Sequence, residues 1–335
     1  MRILIIKLAA IGDVLRTTSI VKGLKNKYPE SEILWVTAKE SYDILKNNEY
    51  IDRIIILDKE AKNKLEEEFE LVISLDDDFE AIKLASSIKK KKLMGAYTEG
   101  NEIKYTDSSA AWFDMGLSSK FGKKRADELK KENKKTYQQI ISEIVGVKES
   151  EPILTLEERE IGFAKDFAER KSINENDLVI GLNTSAGKRW QLKKWDIKKT
   201  AELANKLIEE LNAKVILFGG PEERERNDKI KKLANGIIGA GCDNSLLEFA
   251  SLINLCSILV TSDSLAMHIG IALKKKVIAL FGPTSSSEIE LFGRGKKIIS
   301  NLECVCCYKK TCDKKPNCMD MIIAEQVFNA VKELI

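Results

Sequence analysis

Short β-rich apolar runs alternate with amphipathic segments twice along this chain, and few architectures satisfy that rhythm. Arg2–Lys7, Glu32–Val36, Arg53–Leu57 and Glu70–Leu75 read as strands. Between them Val14, Val21, Leu24 and Tyr28 share one helical face, and Tyr42–Lys46 and Ala61–Phe69 follow. After Pro152 the pattern restarts, with strands at Leu178–Leu182, Lys214–Phe218, Ser257–Thr261 and Lys276–Phe281. Helical spacing fills the gaps at Ile197–Glu210, Glu223–Ala234, Leu246–Asn254 and Leu265–Leu273. Strand–helix alternation of this kind means βαβ units around mostly parallel sheets. A length of 335 residues exceeds a usual single core. The expectation is therefore α/β, with two doubly wound domains at 1–155 and 156–322 and an amphipathic closing helix within 323–335. The stretch 100–135 breaks the rhythm, carries Trp112 and Phe113, and feeds one helix predicted from Ala126 to Ile144.

Composition narrows the function. Lys and Arg number 55 against 52 Asp and Glu, so the basic excess that a nucleic-acid binder gathers on one face is absent. A single histidine excludes multi-histidine metal sites. Lys7 splits the apolar amino-terminal run and no small-residue cleavage site closes it, so it reads as a first strand rather than a signal peptide. No apolar run reaches the roughly 18 residues of a membrane helix. A cytoplasmic setting is expected, where structural disulfides are rare, with peripheral membrane association left open.

Ligands of open parallel sheets bind beyond the carboxyl ends of strands, near helix starts. Four such junctions carry chemistry. At 10–14, Asp13 opens a helix, either as an N-cap or as a carboxylate held ready as general base. At 183–190, Thr184, Ser185, a glycine and Lys188 form a loop able to hold phosphate, without Walker A spacing. At 218–224 a glycine pair and a proline place Glu222 or Glu223 at a helix start, where dipole complementarity is the plain reading. At 261–268, Asp263 and Ser264 precede a helix whose free N–H groups favour a diphosphate, and His268 follows one and a half turns in, or is simply a packed core residue.

Five pieces together resemble glycosyltransferase family 9, the ADP-heptose:lipopolysaccharide heptosyltransferases. They are residues 5–15, 186–190, 219–224, 262–268 and 281–284, in the family's order and across nearly the whole chain. The resemblance implies the GT-B fold, with two Rossmann-like domains facing across a cleft, the acceptor against the first and the donor in the second. It implies a final helix packed back on the first domain. Asp13 matches the proposed catalytic base and Lys188 the lysine that engages donor phosphates, with Thr184 and Ser185 beside it. Glu223 matches an acid near the donor sugar, and Asp263, Ser264 and His268 match the helix start that carries the nucleotide. Leu265 stands where relatives carry glycine. The implied reaction is an inverting transfer from ADP-heptose that requires no cofactor.

Asp76-Asp-Asp78 contains a DxD pattern, read mainly as a helix cap, with acceptor binding by Asp76, Asp78 and Lys7 as the lesser option. The lysines at 89–92 and 123–135 read as solvated faces. They would also suit the anionic lipid-linked saccharide acceptors of the family at the inner face of the inner membrane. Seven cysteines include Cys304, Cys307, Cys312 and Cys318, a density that reads first as a zinc or iron–sulfur site, with a disulfide clip or free thiols as the alternatives. Two other readings stand beside the first: a GT-B enzyme using another nucleotide sugar, such as a sugar epimerase, and an inactive scaffold with a cysteine-rich metal clip.

Overall fold

The computed structural model describes residues 1–187 and 190–335, and of Lys62 the backbone alone. It divides into two compact units, Met1–Thr155 with Ser287–Glu290, and Leu156–Ser286 with Leu291–Ile335.

The first unit runs β1 (Arg2–Ile6), α1 (Ile11–Thr17), α2 (Val21–Lys27), β2 (Glu32–Thr37), α3 (Tyr42–Leu45), β3 (Arg53–Ile56), β4 (Leu71–Ser74), α4 (Phe79–Ser87), β5 (Leu93–Glu99), β6 (Glu102–Tyr105), α5 (Ala110–Phe113), α6 (Gly122–Glu132) and α7 (Tyr137–Val145). Its sheet order is β3-β2-β1-β4-β5-β6, parallel except for the antiparallel β5–β6 pair. Ile3, Leu4, Ile5 and Ile6 of β1 are fully buried, as continuous apolar strands covered on both faces must be. The antiparallel pair was missed in the sequence because its residues alternate weakly and carry a polar face. Where periodicity predicts one helix from Ala126 to Ile144, there are two. Thr136 caps α7 through a reciprocal box with Gln139, and Asn133 ends α6 in extended conformation.

The second unit runs α8 (Glu158–Arg170), β7 (Val179–Asn183), α9 (Ile197–Leu211), β8 (Lys214–Leu217), α10 (Arg224–Leu233), β9 (Ile238–Gly239), α11 (Leu246–Asn254), β10 (Ile258–Ser262), α12 (Leu265–Ala272), β11 (Lys276–Phe281), β12 (Gly295–Ile299) and α13 (Ala324–Lys332). Its strands are all parallel, in the order β12-β11-β10-β7-β8-β9. The closing helix α13, expected to pack back on the first domain, belongs to the second unit, where Val327, Phe328 and Val331 join the core with Leu203 and Leu207 of α9. Its apolar face finds the matching stripe of α9, and Lys206 closes the edge through Glu325 at 2.6 Å. Among the described residues no helix is long and apolar enough to cross a membrane.

Candidate active site

Each sheet has one place where the strand order reverses, and the loops leaving neighbouring strands there part to open a crevice. In the first unit this point lies between β1 and β4, in the second between β7 and β10. Asp13, Lys7 and Asp76 lie by the first of these points, and Thr184, Ser185, Asp263 and Ser264 by the second.

After β1, the Lys7 ammonium sits 3.5 Å from Asp76 Oδ2, which follows β4, and the Leu8 N–H donates to the same oxygen at 2.7 Å. Both side chains are buried. Burial penalises the Lys7 ammonium, yet Asp76, Asp13, Tyr137 and Asp77 more than compensate and raise its pKa above the usual 10.5. Asp13 is not the cap of α1. Ala10 occupies that position without a side-chain bond, and Asp13 lies in the first turn. Its carboxylate is held by Arg16 one turn on, at 2.8 Å. The Arg16 guanidinium stacks 3.9 Å over the Tyr137 ring, and the Tyr137 hydroxyl shares a 2.6 Å hydrogen bond with Thr17. Burial raises the Tyr137 pKa, against the pull of Arg16 and Lys7.

The DxD carboxylates divide. Asp78 is exposed and caps α4 by accepting from the N–H groups of Glu80 and Ala81, as the plain reading expects. Asp77 accepts from Ser118 Oγ at 3.2 Å, and burial lifts its carboxyl above the usual carboxylate range. Of the three, Asp76 forms the ion pair with Lys7, and Asp77 acts on it from farther off.

At the second switch point, Asn183 Nδ2 donates to Ser264 Oγ at 3.2 Å, so the loops after β7 and β10 are tied. Ser264 occupies the N-cap position of α12, but its side chain makes no cap bond. The helix's first N–H groups are thus left to other partners. Asp263 pairs with Lys193 at 2.7 Å. Burial opposes ionisation of Asp263, but the charge of Lys193, the charge of His268 and the Lys193 hydrogen bond outweigh it and hold the carboxyl below its usual range. His268 is buried on α12 and acts electrostatically on Asp263.

Glu223 is buried. It accepts from Ser185 Oγ at 3.0 Å and from the Gly220 N–H at 3.1 Å, so it joins the β7 loop to the turn after β8. Gly219 is required there, because a Cβ would stand 2.7 Å from that of Glu223. Arg226 donates to Thr184 Oγ1 at 3.0 Å and to the Trp195 carbonyl at 2.5 Å. Thr184, Ser185, Glu223, Asp263, Ser264 and His268 therefore surround one sheet edge. Lys188 lies outside the described residues.

Arg16, Tyr137, Lys193 and Arg226 were missed in the sequence. Arg16 had a signal, its i+3 spacing from Asp13 on one helix. Lys193 and Asp263 are 70 positions apart, and nothing local pairs them.

Cys304, Cys307 and Cys312 are half-buried free thiols and Cys318 a buried one. Gly282 makes room for Cys318, whose sulfur lies 2.6 Å from where a Cβ would sit. Burial first, then Cys307, Cys312 and Cys304, push the Cys318 thiol up to about 11. Among the described residues no group of three His, Cys, Asp or Glu side chains is arranged to hold a metal ion.

Residues 59–317 match the family model of glycosyltransferase family 9 (heptosyltransferase). Lipooligosaccharide heptosyltransferase 2 of Campylobacter jejuni is 28% identical over 188 residues, covering 51% of this chain and 56% of that protein. The match thus spans about half the length of that curated relative. The crystal structure of a family 9 glycosyl transferase from Veillonella parvula is similar at a TM-score of 0.80 with 22% identity, covering 99% of this chain and 96% of that one. Heptosyltransferase WaaC of E. coli, solved with ADP-2-deoxy-2-fluoro heptose, is similar at 0.66 with 16% identity and 100% of both chains covered. At these identities the likeness carries the GT-B fold, with its two Rossmann-like units.

Proposed function

The chain belongs to glycosyltransferase family 9, and from that premise we propose that it is an inverting, metal-independent transferase. It moves heptose from ADP-heptose to an inner-core saccharide of lipopolysaccharide, with Asp13 as general base. The WaaC complex supports the donor, and the lipooligosaccharide enzyme of Campylobacter jejuni supports the acceptor class. The observation that carries the choice of Asp13 is exposure. Its side chain keeps 36% of its surface open, whereas Asp76 at 6% and Glu288 at 9% are shut in the same cluster.

The acceptor O–H gives its proton to Asp13 while its oxygen bonds to the anomeric carbon. The bond from that carbon to the diphosphate oxygen breaks, and ADP leaves with the electron pair. The transition state is oxocarbenium-like, as in glycosidases. Charge growing on the diphosphate meets the uncapped start of α12, with Lys193 close by and Lys188 of the matching motif. Such a set supplies positive charge of its own, so EDTA is expected to leave turnover unchanged. The cysteines at 304–318, between β12 and α13, take no part in this chemistry.

The setting we propose for the reaction is the cytoplasm, at the inner membrane surface. Leu117 and Phe121, 88% and 54% exposed beside the lysines of α6, suit an anionic bilayer. The test is Asp13→Ala. Turnover of ADP-heptose should fall by about 10²–10⁴-fold while calorimetric affinity for the donor stays at the wild-type value. Loss of donor binding together with turnover would reduce Asp13 to a structural role.

A further inference from the structure

Arg16 is buried between two carboxylates. Its Nη2 lies 2.8 Å from Asp13 Oδ1 and its Nη1 lies 3.7 Å from Glu288 Oε2. The rings of Tyr137 and Trp112 stand 3.9 and 5.4 Å from its guanidinium carbon. Glu288 reaches this place by an unusual route. Ser287–Glu290 groups with the first unit although both of its sequence flanks belong to the second. The Tyr137 N–H fixes it by donating to the Glu288 carbonyl at 2.9 Å.

An arginine that serves one carboxylate alone lowers that carboxylate's pKa by roughly 1–3 units. A base so strongly held ionised is a poor acceptor of a proton. A second carboxylate on the other edge of the guanidinium draws part of its field away. We propose that Glu288 is a positioning residue for the transfer: it shares Arg16 with Asp13 and so keeps Asp13 both oriented and basic enough to take the acceptor proton. The proposal rests on Asp13 being the base. It assigns work to a residue that none of the five family-like pieces contains.

Lys7 after β1 and the Tyr137 hydroxyl on α7 interact electrostatically with Asp13, and Asp76 and Asp77 after β4 act on Lys7. The segment 39–45 against α1 adds Lys39, Glu40 and Asp43, all exposed. Glu288 differs from the carboxylates among these in pairing with Arg16 itself.

The experiment is the pH dependence of kcat and kcat/KM for wild type, Glu288→Gln and Glu288→Asp, with ADP-heptose and a lipid A–Kdo acceptor. In Glu288→Gln the acid limb should move down by about half to one pH unit. The plateau kcat should fall about three- to tenfold with KM little changed. Glu288→Asp keeps the charge but withdraws it from Arg16, so its limb should lie between the two, and it carries the test alone if the glutamine variant does not fold. An acid limb at the wild-type position in the folded variants overturns the proposal, even where kcat or thermal stability has dropped, because that pattern is structural. Asp13→Asn run alongside separates the two readings: full turnover in that variant sinks the base assignment itself, independently of Glu288.

Discussion

Lys193 Nζ lies 2.7 Å from Asp263 Oδ2 and 3.2 Å from the Asp263 carbonyl, where the strand order of the second sheet reverses. The pair holds the loop ahead of α9 against the start of α12. Both side chains are largely buried, at 13% and 15% exposure, so removing one partner strands the other. Lys193→Ala should cost about 2–4 kcal/mol in urea unfolding at pH 7. It should also weaken ADP binding about tenfold by calorimetry, one charge-assisted contact's worth. The pH dependence has a definite sign. The folded-state carboxyl titrates below the unfolded value of 3.8, so the contribution is present above that value and is lost as pH falls through the lower folded pKa. The alanine variant should lose that acid sensitivity. Unchanged stability and affinity would remove the pair from the donor site.

Lys7 and Asp76 form the equivalent tie in the first sheet, and both are buried. Lys7→Met leaves a buried carboxylate without its ammonium and should destabilise by about 3–5 kcal/mol. Adding Asp76→Asn should recover part of that loss, since the pair couples directly. Lys7 titrates above 10.5 in the folded state, so its contribution is complete below that pH and is lost as pH rises through the folded pKa. Denaturant midpoints from pH 7 to 12 for the wild type and both variants would show it.

The closing helix offers a test of where it belongs. Phe328 is 2% exposed within the second unit's core, and Lys206 lies 5.0 Å over its ring. Phe328→Ala should cost about 3–5 kcal/mol. Hydrogen exchange should report loosened protection in α9 and β11, which α13 touches, with the first unit's β1 and β4 unchanged. Loss of protection in the first unit instead would contradict the packing.

Cys318 is pushed up to about 11 and buried, whereas Cys304, Cys307 and Cys312 are half-exposed. Thiolate is the reactive form, so iodoacetamide at pH 8 should label Cys318 slowest of these four, by about tenfold or more. Peptide mass spectrometry over time reads this directly. Equal labelling rates would show that the cluster opens in solution.

Most strands were legible because a buried parallel strand must be a continuous apolar run, as in Arg2–Ile6 and Lys276–Phe281. The β5–β6 pair was not, since antiparallel strands at an edge need only half an apolar pattern. The break between α6 and α7 was written in Thr136 and Gln139, but helical periodicity on either side masked it. Helix α8 was also missed, because its buried face is narrow, with Glu160, Ala164 and Phe167 between charged residues.

Asp13, Glu223, Asp263 and His268 could be singled out in the sequence because strand ends and helix starts are local features. Their partners could not. Arg16 against Glu288, Ser185 against Glu223, and Lys193 against Asp263 join positions that only the tertiary fold brings together. Periodicity and turn chemistry act over a few residues, and they determined the two α/β units and the edges where ligands would sit. Which carboxylate is buried, which is shared and which stays open depends on charges from distant loops. That was decided by tertiary structure, because electrostatic environment is a property of neighbours in space.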